Sequence, residues 1–158
     1  MKIRLYHAFM VLFAFVAISC SKESIQIADK PVAENNVDIE SELLRVVNNY
    51  RETKGATALE FSAVAYTYAN EHTDYMISKG NLSHDNFSAR ASSISSQENA
   101  QYVAENVAKD YETAIEAFEN WLESSDHRKT IEGEFTHTAV SVKKDLQGKL
   151  YYTQLFFR

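Results

Sequence analysis

The run "KLYYTQLFF" at residues 149–157 restricts the fold more than any other stretch of the chain. Successive side chains of a strand point to opposite faces. Tyr152 and Phe156 therefore face one way, and Tyr151, Leu155 and Phe157 the other. A strand that is apolar on both faces needs cover on both faces. The run before it, "THTAVSVK" at residues 136–143, also reads as a strand, with Gly148 in "DLQGK" marking the turn between them.

Three amphipathic segments can supply the cover. Ile39, Leu43, Val46, Val47 and Tyr50 recur at helical spacing, with Asp38 as a suitable N-cap. Phe61, Val64, Ala65, Tyr68, His72, Tyr75 and Met76 form a second stripe, and Ile115, Phe118, Trp121 and Leu122 a third. Thr113 and Glu116 have the spacing of a capping box before that third helix. Gly55 and Gly80 stand after the first two helices, where a left-handed residue is favoured. The expected fold is α+β, a three-layer α/β/α sandwich with a small antiparallel sheet between helices. "SARASSISSQENAQ", residues 88–101, shows neither period and is expected to be a loop.

The N-terminus reads as a targeting signal. Lys2 and Arg4 precede an apolar run over residues 8–18, shorter than the roughly 20 residues a spanning helix needs. Residues 1–19 are therefore expected to be a signal peptide, the alternative being an uncleaved anchor helix. "AISC" resembles the lipobox of bacterial lipoproteins, which makes Cys20 the expected lipidation site. As the single cysteine, it has no partner for an internal disulfide. Residues 20–38 are polar, contain the only proline, Pro31, and read as a flexible tether. Residues 39–158 remain as one domain, expected to be monomeric. Loss of Lys2 and Arg4 with the signal moves the formal charge from −6 to −8, which argues against a nucleic-acid partner.

Several chemistries are closed by absence. The sequence has no Gly-x-Ser-x-Gly elbow, no phosphate-binding glycine loop and no HExxH zinc helix. With Cys20 assigned to lipid, no cysteine nucleophile remains. What is left is histidine with carboxylate. His72 lies on the apolar stripe of the second helix and reads as a hydrogen-bonded core residue; His137 starts a strand at a surface or edge position. His84 sits in the loop "GNLSHDNF", and His127 follows the third helix in "SSDHRKTI". Glu105 in "AENVA" is flanked by Val103, Ala104, Val107 and Ala108. It is either a partly buried carboxylate that needs a partner, a raised pKa or a metal, or a surface residue of an edge strand or salt bridge.

The segments "LSHDNFSAR", "AENVA", "AFENWLESSDHRKTI", "FTHTAVSV" and "YYTQLF" occur in the order and spacing of a bacterial CAP domain, and residues 39–158 resemble that family. The superfamily includes cysteine-rich secretory proteins, antigen 5 and pathogenesis-related plant proteins. The resemblance implies an α/β/α sandwich with a cleft of two histidines and usually two glutamates, which binds a divalent metal in some members. Matched by motif, His84, Glu105 and His127 are the implied ligands, for zinc or for magnesium or calcium. Ser124 stands in the cleft where a second glutamate is usual; Glu123 is next to it but about 100° around the helix. Ala104 replaces a usual glycine, "AVS" replaces "GVG", and Ser125 and Asp126 replace a proline and a glycine.

Two histidines and a carboxylate have the ligand count of catalytic zinc with water in the fourth place. The expected function is nevertheless a non-enzymatic binding module on a lipoprotein of the cell envelope, held to a membrane through Cys20 with its domain outside the cytoplasm. Its cleft would take an apolar or glycan ligand or a surface protein, and no residue is assigned a catalytic role. The alternative is a metal-dependent hydrolase with a zinc-activated water at the same cleft. A third reading makes the trio a purely structural hydrogen-bonded cluster.

Overall fold

The computed structural model describes residues 33–158; the expected signal peptide, Cys20 and residues 20–32 of the expected tether lie outside the described residues. The elements are α1 (Val37–Thr53), β1 (Glu60–Phe61), α2 (Ala63–Lys79), α3 (Phe87–Glu98), β2 (Val103–Lys109), α4 (Ala114–Glu123), α5 (Ser125–Ile131), β3 (His137–Lys144) and β4 (Leu150–Phe157). Among the described residues no helix is long and apolar enough to cross a membrane.

The strands form one sheet in the order β1-β3-β4-β2. β4 is central, antiparallel to both β2 and β3, and every one of its residues is buried. Its two faces divide as their apolar alternation requires. Tyr152 and Phe156 pack with Leu43 and Val47 of α1 and with Ala117 and Trp121 of α4. Leu155 and Phe157 pack with Ala65 and Ala69 of α2 and Ile94 of α3, while Tyr151 joins Met76 and Val107. The sheet is not wholly antiparallel, because β1 pairs parallel to β3 through Glu60↔His137 and Phe61↔Thr138.

Local chemistry sets the helix ends. The capping box at α4 is present, with Thr113 Oγ1 accepting from Glu116 N and the Glu116 carboxylate accepting from Thr113 N. α1 begins earlier than Asp38 because the Asn36 side chain caps it, accepting from Ile39 N. Asn35 also bridges Lys143, and Asn36 N donates to Val142 O, so these tether residues belong to the folded domain. α2 begins after Ser62, whose hydroxyl accepts from Ala65 N; Phe61 is part of β1 rather than of the helix.

The largest departure is α3, which occupies most of the segment expected to be a loop. Its inward stripe is Phe87, Arg90, Ala91 and Ile94, at i, i+3, i+4 and i+7, with Arg90 and Ile94 buried and the other two partly so. Serines elsewhere weaken the helical signal, and the stripe contains a cation. Burial of Ile94 and ion pairing of Arg90 outweigh the modest propensity.

One further buried cation holds the layers in register. Arg51 of α1 is 1 % exposed and donates to the carbonyls of Thr57, Ile131, Gly133 and Phe135. It thereby fastens the end of α5, and the turn into β3, to α1.

Candidate functional site

β2 is an edge strand, yet the Glu105 side chain is only 1 % exposed, because strand alternation turns it inward beneath α3. Arg90 Nε donates to Oε2 at 3.0 Å and Nη2 to Oε1 at 2.9 Å, a bidentate pair. Nη1 donates to the Asp85 carbonyl at 2.6 Å, so the same guanidinium ties the loop carrying His84 to the sheet. His84 Nδ1 lies 2.9 Å from Oε1, where the carboxylate accepts its proton. The other side of the His84 ring reaches solvent, its side chain being 52 % exposed.

His72 completes the cluster from α2. Its Nε2 stands 2.8 Å from the Ser83 carbonyl and 3.7 Å from Glu105 Oε1. A carbonyl only accepts, so Nε2 carries the proton and Nδ1, buried and without a partner, is the bare nitrogen. Burial is the main reason its pKa is lowered; Glu105 opposes the shift. Tyr75 stacks on the ring at 5.9 Å and 14°, and its hydroxyl donates to the Asp85 carboxylate. His72 is thus a core histidine, as its place on an apolar stripe suggests, but one in the second layer of the cluster.

His127 approaches from the other helical layer. Its carbonyl accepts from the Asn106 side chain at 3.1 Å, fastening α5 to the residue after Glu105. Its ring makes no hydrogen bond or ion pair with Glu105 among the described residues. The pKa of His127 is lowered, first by burial and then by the charge of His84, with Asp126 opposing. Ser124 is the N-cap residue of α5, its side chain makes no capping bond, and no hydrogen bond joins it to His84 or Glu105. His137 is elsewhere, stacked on Phe157 at 4.9 Å.

A divalent cation does not fit this arrangement as it stands. Both Glu105 oxygens face Arg90, whose charge already compensates the carboxylate. Among the described residues no group of three histidine, cysteine, aspartate or glutamate side chains is placed to hold a metal ion. Sequence reasoning passed over Arg90, although it lies within "LSHDNFSAR"; its position on the stripe of α3 was the available signal.

Two hollows bear on the site, of which only the first is lined by residues of the cluster. One, of about 330 Å³ between α2 and α3, is lined by Tyr68, His72, Tyr75 and Arg90. The other, of about 380 Å³, is lined by Tyr102, Asp126, Lys129, Glu134 and Arg158 among others. The Tyr102 ring is 56 % exposed, stacks on Phe135 at 5.7 Å and 22°, and has the Arg158 guanidinium 6.0 Å from its centroid. Gly133 makes room for this stack, since a Cβ there would stand 2.6 Å from the Phe135 ring.

The model of the Cysteine-rich secretory protein family (CAP) matches residues 44–156. No curated protein matches the sequence. Among solved structures, an outer surface protein of Borrelia burgdorferi is similar with a TM-score of 0.72 at 14 % identity, covering 80 % of this chain and 98 % of the other. An extracellular protein containing an SCP domain from Bacillus anthracis gives 0.67 at 24 %, covering 77 % and 41 %. A cysteine-rich secretory protein of Staphylococcus aureus gives 0.65 at 19 %, covering 80 % and 40 %. The chain thus spans about two fifths of the last two proteins. These likenesses concern the fold. With a family match over most of the domain and a mixed sheet between two helical layers, the chain belongs to the Cysteine-rich secretory protein family.

Proposed function

We propose that the chain is an extracytoplasmic, non-enzymatic binding module, anchored to a membrane through a lipid on Cys20. The observation that carries the reading is the closure of Glu105: with Arg90 and His84 on its oxygens, the carboxylate is no free general base. Similarity to an outer surface protein of Borrelia burgdorferi and to an extracellular protein of Bacillus anthracis supports the location.

The ligand best suited to the Tyr102 hollow is a glycan. The half-exposed Tyr102 ring offers apolar surface to a sugar ring, and the carboxylates of Asp126 and Glu134, without an ion-pair partner among the described residues, accept from its hydroxyls. Titration of the purified mature chain with envelope-derived oligosaccharides, followed by NMR, should shift signals of Tyr102 and its neighbours. Tyr102→Ala should weaken binding by about tenfold or more. The reading fails if the protein hydrolyses a peptide, ester or glycan and His127→Ala abolishes that activity.

A further inference from the structure

We infer that the Tyr102 hollow selects an acidic glycan, one whose ring carboxylate meets Lys129 and Arg158 while its hydroxyls donate to Asp126 and Glu134. This choice of sugar rests on the glycan reading of the same hollow and adds a charge requirement to it.

Charged side chains of both signs line the hollow: Asp126 and Glu134, Lys129 and Arg158. Among the described residues none of them has an ion-pair partner. Asp126 and Lys129 stand one turn apart on α5, at a spacing where a local pair is favoured, yet they do not pair with each other. Arg158 is fixed to the aromatic wall. Its backbone N donates to the Tyr102 carbonyl at 3.1 Å, and its own carbonyl accepts from Tyr102 N at 3.2 Å. Those bonds hold the guanidinium 6.0 Å from the Tyr102 ring centroid, while the ring stacks on Phe135. The ring and the cation therefore form one unit.

The chemistry of the two signs is not symmetric towards sugars. Every sugar carries hydroxyls that donate to carboxylates, so Asp126 and Glu134 accept neutral and acidic glycans alike. Lys129 and Arg158 only donate, and a hydroxyl or ring oxygen is a far weaker acceptor for them than a carboxylate. An amino sugar would engage the two carboxylates and leave both cations without a counter-charge. An acidic sugar leaves none of these groups without a partner. With its ring against Tyr102, the sugar lies beside the Arg158 guanidinium, whose planar fork matches a carboxylate bidentately. Asp126 and Glu134 meanwhile repel densely charged polyanions, which favours a glycan with single, spaced carboxylates.

NMR titration of the mature chain with a matched pair of probes tests the inference: a cellulose-derived glucose oligomer, and the same oligomer with its primary alcohols oxidised to carboxylates. The acidic oligomer should shift the Tyr102 signals and bind at least about tenfold more tightly than the neutral one, the worth of one charge-assisted hydrogen bond. Raising the salt to about 0.5 M should narrow that preference. Lys129 and Arg158 are exposed, so the double variant Lys129→Gln, Arg158→Gln keeps the fold. In it the acidic oligomer should bind no better than the neutral one. Equal affinities in the wild type overturn the inference and leave the glycan reading intact, as does a preference that survives in the double variant. The inference alone also falls if envelope-derived oligosaccharides shift the Tyr102 signals and neither oligomer does. If none of these glycans shifts them, the glycan reading and the inference fall together.

Discussion

Arg90 of α3 and Glu105 of β2 form a bidentate ion pair, 2.9 and 3.0 Å long, beneath the loop that carries His84. The pair joins a helix to an edge strand and leaves the carboxylate no free oxygen. Stability and ligand choice at the cleft therefore depend on one cation that belongs to the chain itself.

Breaking this pair from one side should cost more than removing it whole. Arg90→Met strands a buried carboxylate and should lower stability by about 3–5 kcal/mol. The double variant Arg90→Met, Glu105→Leu should recover much of that loss. Urea unfolding of the two single variants and the double variant measures the coupling.

Arg51→Met should be among the most damaging changes distant from the cleft. It leaves the carbonyls of Thr57, Ile131, Gly133 and Phe135 without their donor, a loss of about 3 kcal/mol or more. Arg51→Lys should rescue little, because a single ammonium does not reproduce the planar fork. Unfolding midpoints of the two variants test this.

Stability should fall on mild acidification. His72 and His127 both have pKa values lowered in the fold, mainly by burial, from an ordinary 6.5. The unfolded chain therefore binds protons first as pH falls, so the stabilising effect is full above about 6.5 and declines below it, towards the depressed folded values. Urea midpoints between about pH 7.5 and 5 should drop, and His72→Phe should reduce the slope.

Gly133→Ala should disturb the Tyr102 hollow without touching it directly. The added Cβ, 2.6 Å from the Phe135 ring, must displace the ring on which Tyr102 stacks. An overpacking cost of about 1–3 kcal/mol is expected, with weaker oligosaccharide binding. Thermal unfolding and the NMR titration report the two effects separately.

Metabolic labelling with a palmitate analogue tests the proposed anchor. The wild type should label and fractionate with membranes, and Cys20→Ser should do neither, since stable attachment needs acyl chains.

The three layers were legible from residues 149–157 because alternation along a strand reports burial directly: Tyr152 and Phe156 had to meet one layer, Leu155 and Phe157 another. The helical stripes of α1, α2 and α4 and the capping box at Thr113 are likewise local, each readable within a few turns of chain. Motif order singled out His84, Glu105 and His127. It did not show that His84 touches Glu105 while His127 reaches the same strand through Asn106. Nor did any local period show α3 clearly, since its buried stripe holds a cation matched by a carboxylate fifteen residues on. Apolar burial leaves a pattern along the chain, whereas the partner of a buried charge is chosen through space. Only the packing of α3 against β2 decided that Glu105 would face an arginine.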